Sequence, residues 1–252
     1  MAINKKLIHF SKGENYDIQK ANGNILDSSI CFIQDRKTII THGTEYKAIG
    51  WGILDPWKDI SNGVYAVSND GIPVEVANAD ASCIGIALIT DNQRVMIPKA
   101  NATDGTNITL YWGYNLYEQD VPNLENPADA TAAKADYNGK ANTAAIISGY
   151  TELGKEMNNR DMCKVLETFN EGGYTDWYVP AAGQLYEIYS NRTAINQALT
   201  AIGGNSFASN YYWSSSESSS YMAWRVGFRR DEVLYYDKNN NSYVRFVRDL
   251  CL

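Results

Sequence analysis

Histidine is nearly missing from this chain: His9 and His42 are the only two in 252 residues. Both fall near the N-terminus. A Ser/His or Cys/His nucleophilic centre would need one of them to reach the C-terminal half, and nothing in the pattern favours that. Cysteine is scarce as well. Cys31, Cys83, Cys163 and Cys251 are widely spaced, form no C-x-x-C pair and have no histidine cluster beside them. They read as reduced, structural thiols of a protein folded in a cytoplasm rather than as zinc ligands. No apolar run reaches the length of a membrane span. Met1 to Ser11 has neither the apolar core nor the small-residue cleavage site of a secretory leader, so no signal peptide is expected. Positive charge is in deficit, with 22 Lys and Arg against 29 Asp and Glu and a net charge of -7, which disfavours nucleic acid and anionic membrane as partners. Glycine-rich phosphate loops and the G-x-S-x-G context are absent, so the serine runs 214–216 and 218–220 read as loop or display. No catalytic residue, no metal and no cofactor are expected.

What is present suits a soluble globular protein, with 44% hydrophobic and 20% charged residues. Residues 7 to 50 look like short strands joined by turns: Ser29 to Ile33, then Thr38 to Thr41, with turn signals at Asn22-Gly23 and His42-Gly43. That is too little to bury a core alone. A β-rich N-terminal attachment or oligomerisation region with its linker is therefore expected over 1–72, and a main domain over 73–252. Within the latter, Cys83 to Ile89 and Arg94 to Ile97 predict a strand pair across Asp91-Asn92. Tyr111 to Asn142, with Pro122 and Pro127, reads as a long surface excursion. Met162, Val165, Leu166 and Phe169 predict an amphipathic helix over 152–170, stopped at Gly172-Gly173. Pro180 opens a second helix with Leu185, Ile188 and Tyr189 as its stripe. Ile195, Leu199 and Ile202 make a third, ended by Gly203-Gly204. Helices followed by a block of short strands indicate an α+β domain.

The last forty residues carry the functional signal. Aromatic residues crowd the stretch Phe207 to Phe246 far above the 12% of the whole chain, among runs of serine and asparagine. This is the Tyr/Ser/Asn/Gly chemistry of a binding surface, in which rigid amphipathic anchors stand among adaptable hydrogen-bonding groups. In Trp224-Arg225-Val226-Gly227-Phe228-Arg229, strict alternation puts Trp224, Val226 and Phe228 on one strand face and Arg225, Gly227 and Arg229 on the other. From Trp213 onward there are six basic and five acidic residues, a net of +1, so the remainder holds -8.

Three blocks resemble a known family in order and spacing: Asp176-Trp177-Tyr178-Val179-Pro180 with Gln184-Leu185, Tyr212-Trp213-Ser214-Ser215-Ser216-Glu217, and Tyr243-Val244-Arg245-Phe246-Val247-Arg248-Asp249. They look like the WYLP, YWSSTE and YVRxVRD motifs of the C-type-lectin-like domains found in bacterial surface proteins. The same domains occur in variable proteins of diversity-generating retroelements, phage tropism determinants included. The resemblance covers roughly residues 80 to 252. A shorter one, over Phe32 to Gly43, is to a segment common in phage tail and structural proteins of gut bacteria. The family resemblance implies a C-type lectin-like fold, a host cell-surface protein or glycan as ligand, and a homo-oligomer, with a trimer favoured. It also implies a virion location in the phage tail. Retroelement mutagenesis acts at template adenines, so an asparagine codon can become Ser, Tyr, Arg, Gly, Asp, Leu or Phe, but not Trp, Met, Glu, Lys or Gln. On that test Ser218, Ser219, Ser220, Tyr221, Arg225, Gly227, Arg229, Arg230, Asp231, Leu234, Tyr235, Tyr236 and Asp237 are the candidate variable, ligand-binding residues. Glu217, Met222, Trp224, Glu232 and Lys238 would be scaffold. A lectin-like adhesin or virion component without diversification is the alternative.

The resemblance raises two further chemistries. Sugar-binding C-type lectins hold calcium through a Glu-Pro-Asn type motif. Here Glu125-Asn126-Pro127 has the wrong order and no Trp-Asn-Asp triplet follows, although a structural ion stays open. Formylglycine-generating enzymes share the broad fold but need a reactive cysteine pair, which Cys163 and Cys251 match poorly. Trp177 and Trp213 read as core anchors. Arg245 and Arg248 read as braces bonded to carboxylates or carbonyls.

Overall fold

The computed structural model describes residues 60–250, together with Pro56, Trp57 and the backbone of three short strands nearer the N-terminus. These strands are β1 (Leu7–Phe10), β2 (Ile30–Ile33) and β3 (Thr38–Thr41); β1 lies parallel to β2, and β2 antiparallel to β3. The last two agree with the strands expected at 29–33 and 38–41. Asn22-Gly23, His42-Gly43, Cys251 and the side chains of His9 and Cys31 lie outside the described residues. The second compact unit of the chain spans 60–251. Its start falls ahead of the boundary expected at 72/73 because β4 (Gly63–Val67) pairs along its whole length with β6 (Gly85–Ile89).

That unit mixes helix and sheet, as the α+β pattern predicts. Five antiparallel strands run in the order β13-β7-β6-β4-β5, with β5 at Pro73–Val74, β7 at Arg94–Pro98 and β13 at Arg248–Asp249. β6 and β7 are the predicted pair. All five residues of β6 are buried, so it reads as an unbroken apolar run instead of an alternation. Two helices cover this sheet: α4 (Ala182–Ser190) and α5 (Arg192–Ala201). Leu185 and Ile188 of α4 and Ile195 and Leu199 of α5, with Ile202 just after it, join Ile86, Leu88, Val95 and Ile97 in one core. The stop at Gly203 is conformational: its φ of +73° is the left-handed turn that ends helices, and the Gly204 N–H donates back to Leu199 O at 2.7 Å.

A second sheet, in the order β11-β10-β9, is built from β9 (Tyr211–Glu217), β10 (Met222–Gly227) and β11 (Glu232–Asp237). A two-stranded ribbon joins β8 (Leu110–Tyr111) to β12 (Asn241–Ser242). The three sequence motifs meet here. Tyr178 and Val247 exchange backbone hydrogen bonds at 2.8 and 2.9 Å. Trp213 N–H donates to Tyr243 O, and Tyr243 N–H to Tyr211 O. Ser215 N–H reaches Pro180 O at 2.9 Å, and the Ser216 hydroxyl accepts from Ala182 N–H, satisfying a donor at the start of α4. Ser214 to Ser216 are thus wholly buried strand residues rather than loop or display. Trp177 and Trp213 are core, as expected. Arg245 donates to Pro98 O, Asn205 O and Asn101 Oδ1, and Arg248 grips Asp176 with two bonds of 2.7 and 3.0 Å, so both are braces.

Two expectations fail. Residues 111–142 are not a surface excursion, because Trp112, Leu116, Val121 and Ala133 are buried, and helices α1 (Ala130–Lys134) and α2 (Gly139–Glu152) begin there. The helix expected at 152–170 shrinks to α3 (Met162–Leu166). Asp161 just before it is buried and accepts hydrogen bonds from Tyr114 N–H, Tyr150 Oη–H and Asn158 N–H, which holds residues 154–161 as loop. Burial raises its carboxyl above the usual range, and those three bonds oppose the shift.

Phe228 closes the core, stacked on Phe207 at 4.6 Å between ring centres and tilted against Tyr212 at 4.7 Å. Phe228→Ala is expected to lower unfolding free energy by about 3–5 kcal/mol in a denaturant titration. A loss below about 1 kcal/mol would mean that the ring is not packed as described.

Candidate functional site

The candidate site is the outer face of the β9–β10–β11 sheet. Much of its inner face is packed: Trp224 lies with Ala133 and Ala182, while Tyr212, Val226 and Phe228 enter the main core. Register then assigns every neighbour, since residues directly opposite in an antiparallel pair share a face. Arg225 stands opposite Leu234 on one side and Trp213 on the other, Gly227 opposite Glu232 and Tyr211, and Ala223 opposite Tyr236 and Glu217. The outer face therefore carries Tyr211, Trp213, Arg225, Gly227, Glu232, Leu234 and Tyr236.

Arg225 is the centre of that face and is half-buried, not free as the alternation alone suggested. Its guanidinium carbon lies 3.7 Å from the ring centre of Tyr236, 4.1 Å from that of Tyr211 and 6.0 Å from that of Trp213. Among the described residues its one side-chain hydrogen bond is a long one of 3.3 Å to Ser242 Oγ, and its buried Nε has no partner there. Burial draws its pKa below the usual arginine range, with Tyr236 and Tyr211 opposing. Tyr211 is held in turn by its hydroxyl, which donates to Glu232 at 2.9 Å; that bond raises its phenol pKa.

The predicted residues do not form one patch. Arg225, Gly227, Leu234 and Tyr236 share the outer face, and Tyr236 is 39% exposed. Tyr235 is opposite Trp224 and so lies on the other face, its ring edge-on to the indole at 5.3 Å and 53% exposed where the helical cover ends. This corrects its place beside Tyr236. Asp237 belongs to the same inner-face row. Ser218, Ser219, Ser220 and Tyr221 form the β9–β10 turn; the Ser219 hydroxyl accepts from Tyr221 and Met222 N–H, and Tyr221, 45% exposed, meets Tyr117 edge-on at 5.3 Å. Arg229, Arg230 and Asp231 are exposed in the β10–β11 turn, at the far end of a six-residue strand. The two turns are roughly 20 Å apart on a strand rise of about 3.4 Å per residue. Gly227 is buried, and a Cβ there would come 3.1 Å from the Tyr211 ring.

Tyr211, Ser242 and Tyr117 were missed as site residues. Two-residue spacing back from Trp213 could have placed Tyr211 on the Arg225 face. Nothing in the sequence brings Tyr117 to Tyr221, because the contact is made by a non-repetitive loop.

Beneath the turn at 218–221 lies a buried ion pair. Glu217 and Lys238 are both fully buried and joined by a short hydrogen bond. Lys238 Nζ also donates to Gln119 O at 2.7 Å and Ser220 O at 3.1 Å, and lies 5.1 Å from the Trp112 ring centre. The Glu217 carboxylate accepts Val121 N–H. Desolvation opposes both charges, pushing the carboxyl up to about 7 and the ammonium down, and each charge offsets the shift of the other. A cavity of about 540 Å³ between α5 and residues 206–209, lined by Arg192, Asn196, Gln197 and Phe207 among others, includes none of the predicted residues. Among the described residues, no three His, Cys, Asp or Glu side chains gather as a group able to hold a metal ion.

Two stability predictions follow from this geometry. Lys238→Met strands a buried carboxylate and is expected to cost about 3–5 kcal/mol in a denaturant titration. The double change with Glu217→Leu should recover only part of that, since the carbonyls of Gln119 and Ser220 stay unsatisfied. Full additivity of the two losses would show that the pair is not coupled. Arg225→Ala, which removes a cation from between two rings, should cost about 1 kcal/mol. Arg229→Ala in the exposed turn should stay within about 0.5 kcal/mol. Equal thermal shifts for the two would contradict the clamp.

The family described as the Lcl C-terminal domain matches residues 92–248. Among solved structures, a fimbrial protein from Bacteroides ovatus ATCC 8483 is similar with a TM-score of 0.51 at 15% identity, over 75% of this chain and 48% of its own. This chain thus spans about half the length of that protein, and at that identity the likeness speaks to fold alone. No curated protein matches the chain.

Proposed function

Because this chain belongs to the Lcl C-terminal domain family, the C-type-lectin-like domain of retroelement variable proteins, we propose that it is a ligand-binding protein and not an enzyme. Its contact surface is the outer face of β9–β10–β11 with the adjoining 218–221 turn, carried on a C-type lectin-like fold. The supporting observation is the contrast between the two sides of one sheet. Trp224, Val226 and Phe228 are packed on the inner side, while the outer side keeps Tyr236 exposed beside a half-buried guanidinium with one long hydrogen bond among the described residues, and Tyr221 is exposed in the adjoining turn. Aromatic residues and arginine dominate binding energies at protein interfaces. We read the protein as a tropism-type receptor-binding component of a phage or prophage tail, trimeric through its N-terminal region, with a host cell-surface protein or glycan as ligand. The candidate variable residues would be rewritten by a retroelement.

A second reading, a virion or cell-surface adhesin with a fixed face, draws on Gly227. Any side chain there crowds the Tyr211 ring, so free variation at this position conflicts with the clamp. The neighbouring DNA separates the two. Diversification requires a reverse transcriptase gene and a near-copy of the 3′ coding region differing mainly at adenines; finding neither removes it. For binding itself, Tyr221→Ala, Leu234→Ala and Tyr236→Ala should each weaken capture of the full chain by host surface extract. About 2 kcal/mol is expected at the most central position, with melting temperature little changed. Undiminished capture by all three would move the site elsewhere. Light scattering at micromolar concentration should give the mass of a trimer, and a monomer would remove that part of the reading.

A further inference from the structure

Arg225 presents a chemical demand that the described residues do not meet. A guanidinium has five N–H donors in a planar fork. Here one donates to Ser242 Oγ at 3.3 Å, and the buried Nε donates to nothing. Glu232, opposite Gly227 on the same face, is already engaged by the Tyr211 hydroxyl at 2.9 Å and by Arg230 at 3.7 Å. The rings of Tyr211 and Tyr236 bracket the cation, hold its plane and displace water, which strengthens any charge–charge contact made at its edge. The arrangement contrasts with the two structural arginines of the same domain. Each of the three nitrogens of Arg245 donates to an oxygen, and Arg248 donates two bonds to one carboxylate.

We propose that Arg225 is the anchor for a carboxylate of a protein ligand, an Asp or Glu side chain that docks edge-on against the guanidinium between Tyr211 and Tyr236. A carboxylate accepts two parallel N–H bonds from the Nη1/Nη2 end of the fork, while the enclosed Nε stays beneath it and reports the change in charge. A protein source is favoured over an acidic sugar by the surroundings. The outer face is a strand surface bearing Leu234, Tyr236 and, at its end, Tyr221 against Tyr117, the apolar and aromatic composition found at the centre of a protein interface. The open cavity with amide-bearing walls lies elsewhere, beside α5. The overall charge of -7 repels acidic partners at long range. That repulsion is screened within about 10 Å at 0.1 M salt, whereas the bracketed contact is not. The proposal rests on the outer face being the contact surface.

The test uses the full chain with nitrogen-15-labelled arginine and a capped hexaglutamate peptide as probe. Capped hexaglutamine and hexagalacturonate serve as comparisons. Hexaglutamate should shift the Arg225 Nε–H resonance saturably and bind at least ten-fold more tightly than hexaglutamine. Arg225→Gln should lose that preference while Arg229→Gln stays within two-fold. Equal binding of hexaglutamate and hexaglutamine, an equal loss from Arg229→Gln, or tighter binding of hexagalacturonate would each overturn it, the last in favour of an acidic glycan. The resonance shift is read on the unsubstituted protein, so a folding defect in a variant does not decide the outcome. A negative result while Tyr236→Ala still abolishes capture by surface extract removes the carboxylate and leaves the face. If neither substitution matters, the face itself fails.

Discussion

Glu217 and Lys238 set the terms for the rest of the C-terminal domain. Taking either charge out of water alone is costly by several kcal/mol, so the two must be buried together and supplied with further hydrogen-bond partners. Those partners come from a third place in the chain: the carbonyl of Gln119 and the N–H of Val121, with the carbonyl of Ser220 completing the ammonium. Glu217 ends β9 and Lys238 follows β11, so one ion pair ties both outer strands of the sheet at the same end, with β10 between them. The 113–121 segment is held there by these bonds, with Gly113 N–H also donating to Lys238 O at 3.2 Å. This is why the turn at 218–221 has a rigid floor. A binding loop on such a floor loses little entropy when it engages a ligand.

The three motifs serve the same end. They exchange backbone and hydroxyl hydrogen bonds with one another, so each is a joint between elements distant in sequence. The Ser216 hydroxyl shows the economy of this: it accepts from the first turn of α4 and donates to Asp136 at 2.6 Å, connecting a strand, a helix start and a loop. A run of serines looks like surface by composition, yet here a hydroxyl is the smallest group able to make both bonds inside a dry core.

The parts legible in the sequence are those in which a single period governs burial. Trp224, Val226 and Phe228, the stripes of α4 and α5, and the stop at Gly203 needed only local spacing. The alternation of β10 also identified Arg225 as outward-facing, and the motif arginines read correctly as braces. What was not legible depends on partners. Helix α2 buries Asn142, Thr143 and Gly149 along with Ile146 and Tyr150, so polar and small residues on its inner face erase the apolar stripe. Residues 154–161 turn around the buried Asp161 carboxylate, a constraint no periodicity contains. Tyr235 and Tyr236 could be assigned faces only once the hairpin register was known, since a slip of one residue exchanges them. The pairing of Trp224 with Tyr235 depends on the turn at 228–231, where arginines and an aspartate give no unambiguous loop length.

The register also explains why the two faces of the sheet tolerate change so differently. On the inner face, a substitution at Trp224, Val226 or Phe228 meets α1, α4 or the core, and the penalty is a cavity or a clash. On the outer face, the cost of a change at Leu234 or Tyr236 depends mainly on Arg225, whose packing the two tyrosines supply. Arg225 is itself reachable by adenine-directed change, as are Tyr211 and Tyr236, so the clamp is not protected by its codons. Its persistence would have to come from geometry: Tyr211 is pinned by Glu232, a residue outside the accessible set, and Gly227 leaves the space its ring occupies. A face built in this way holds one cation in a fixed place and lets its neighbours differ. On the proposed reading, specificity would change through the surroundings of a constant electrostatic anchor, without rebuilding the anchor each time.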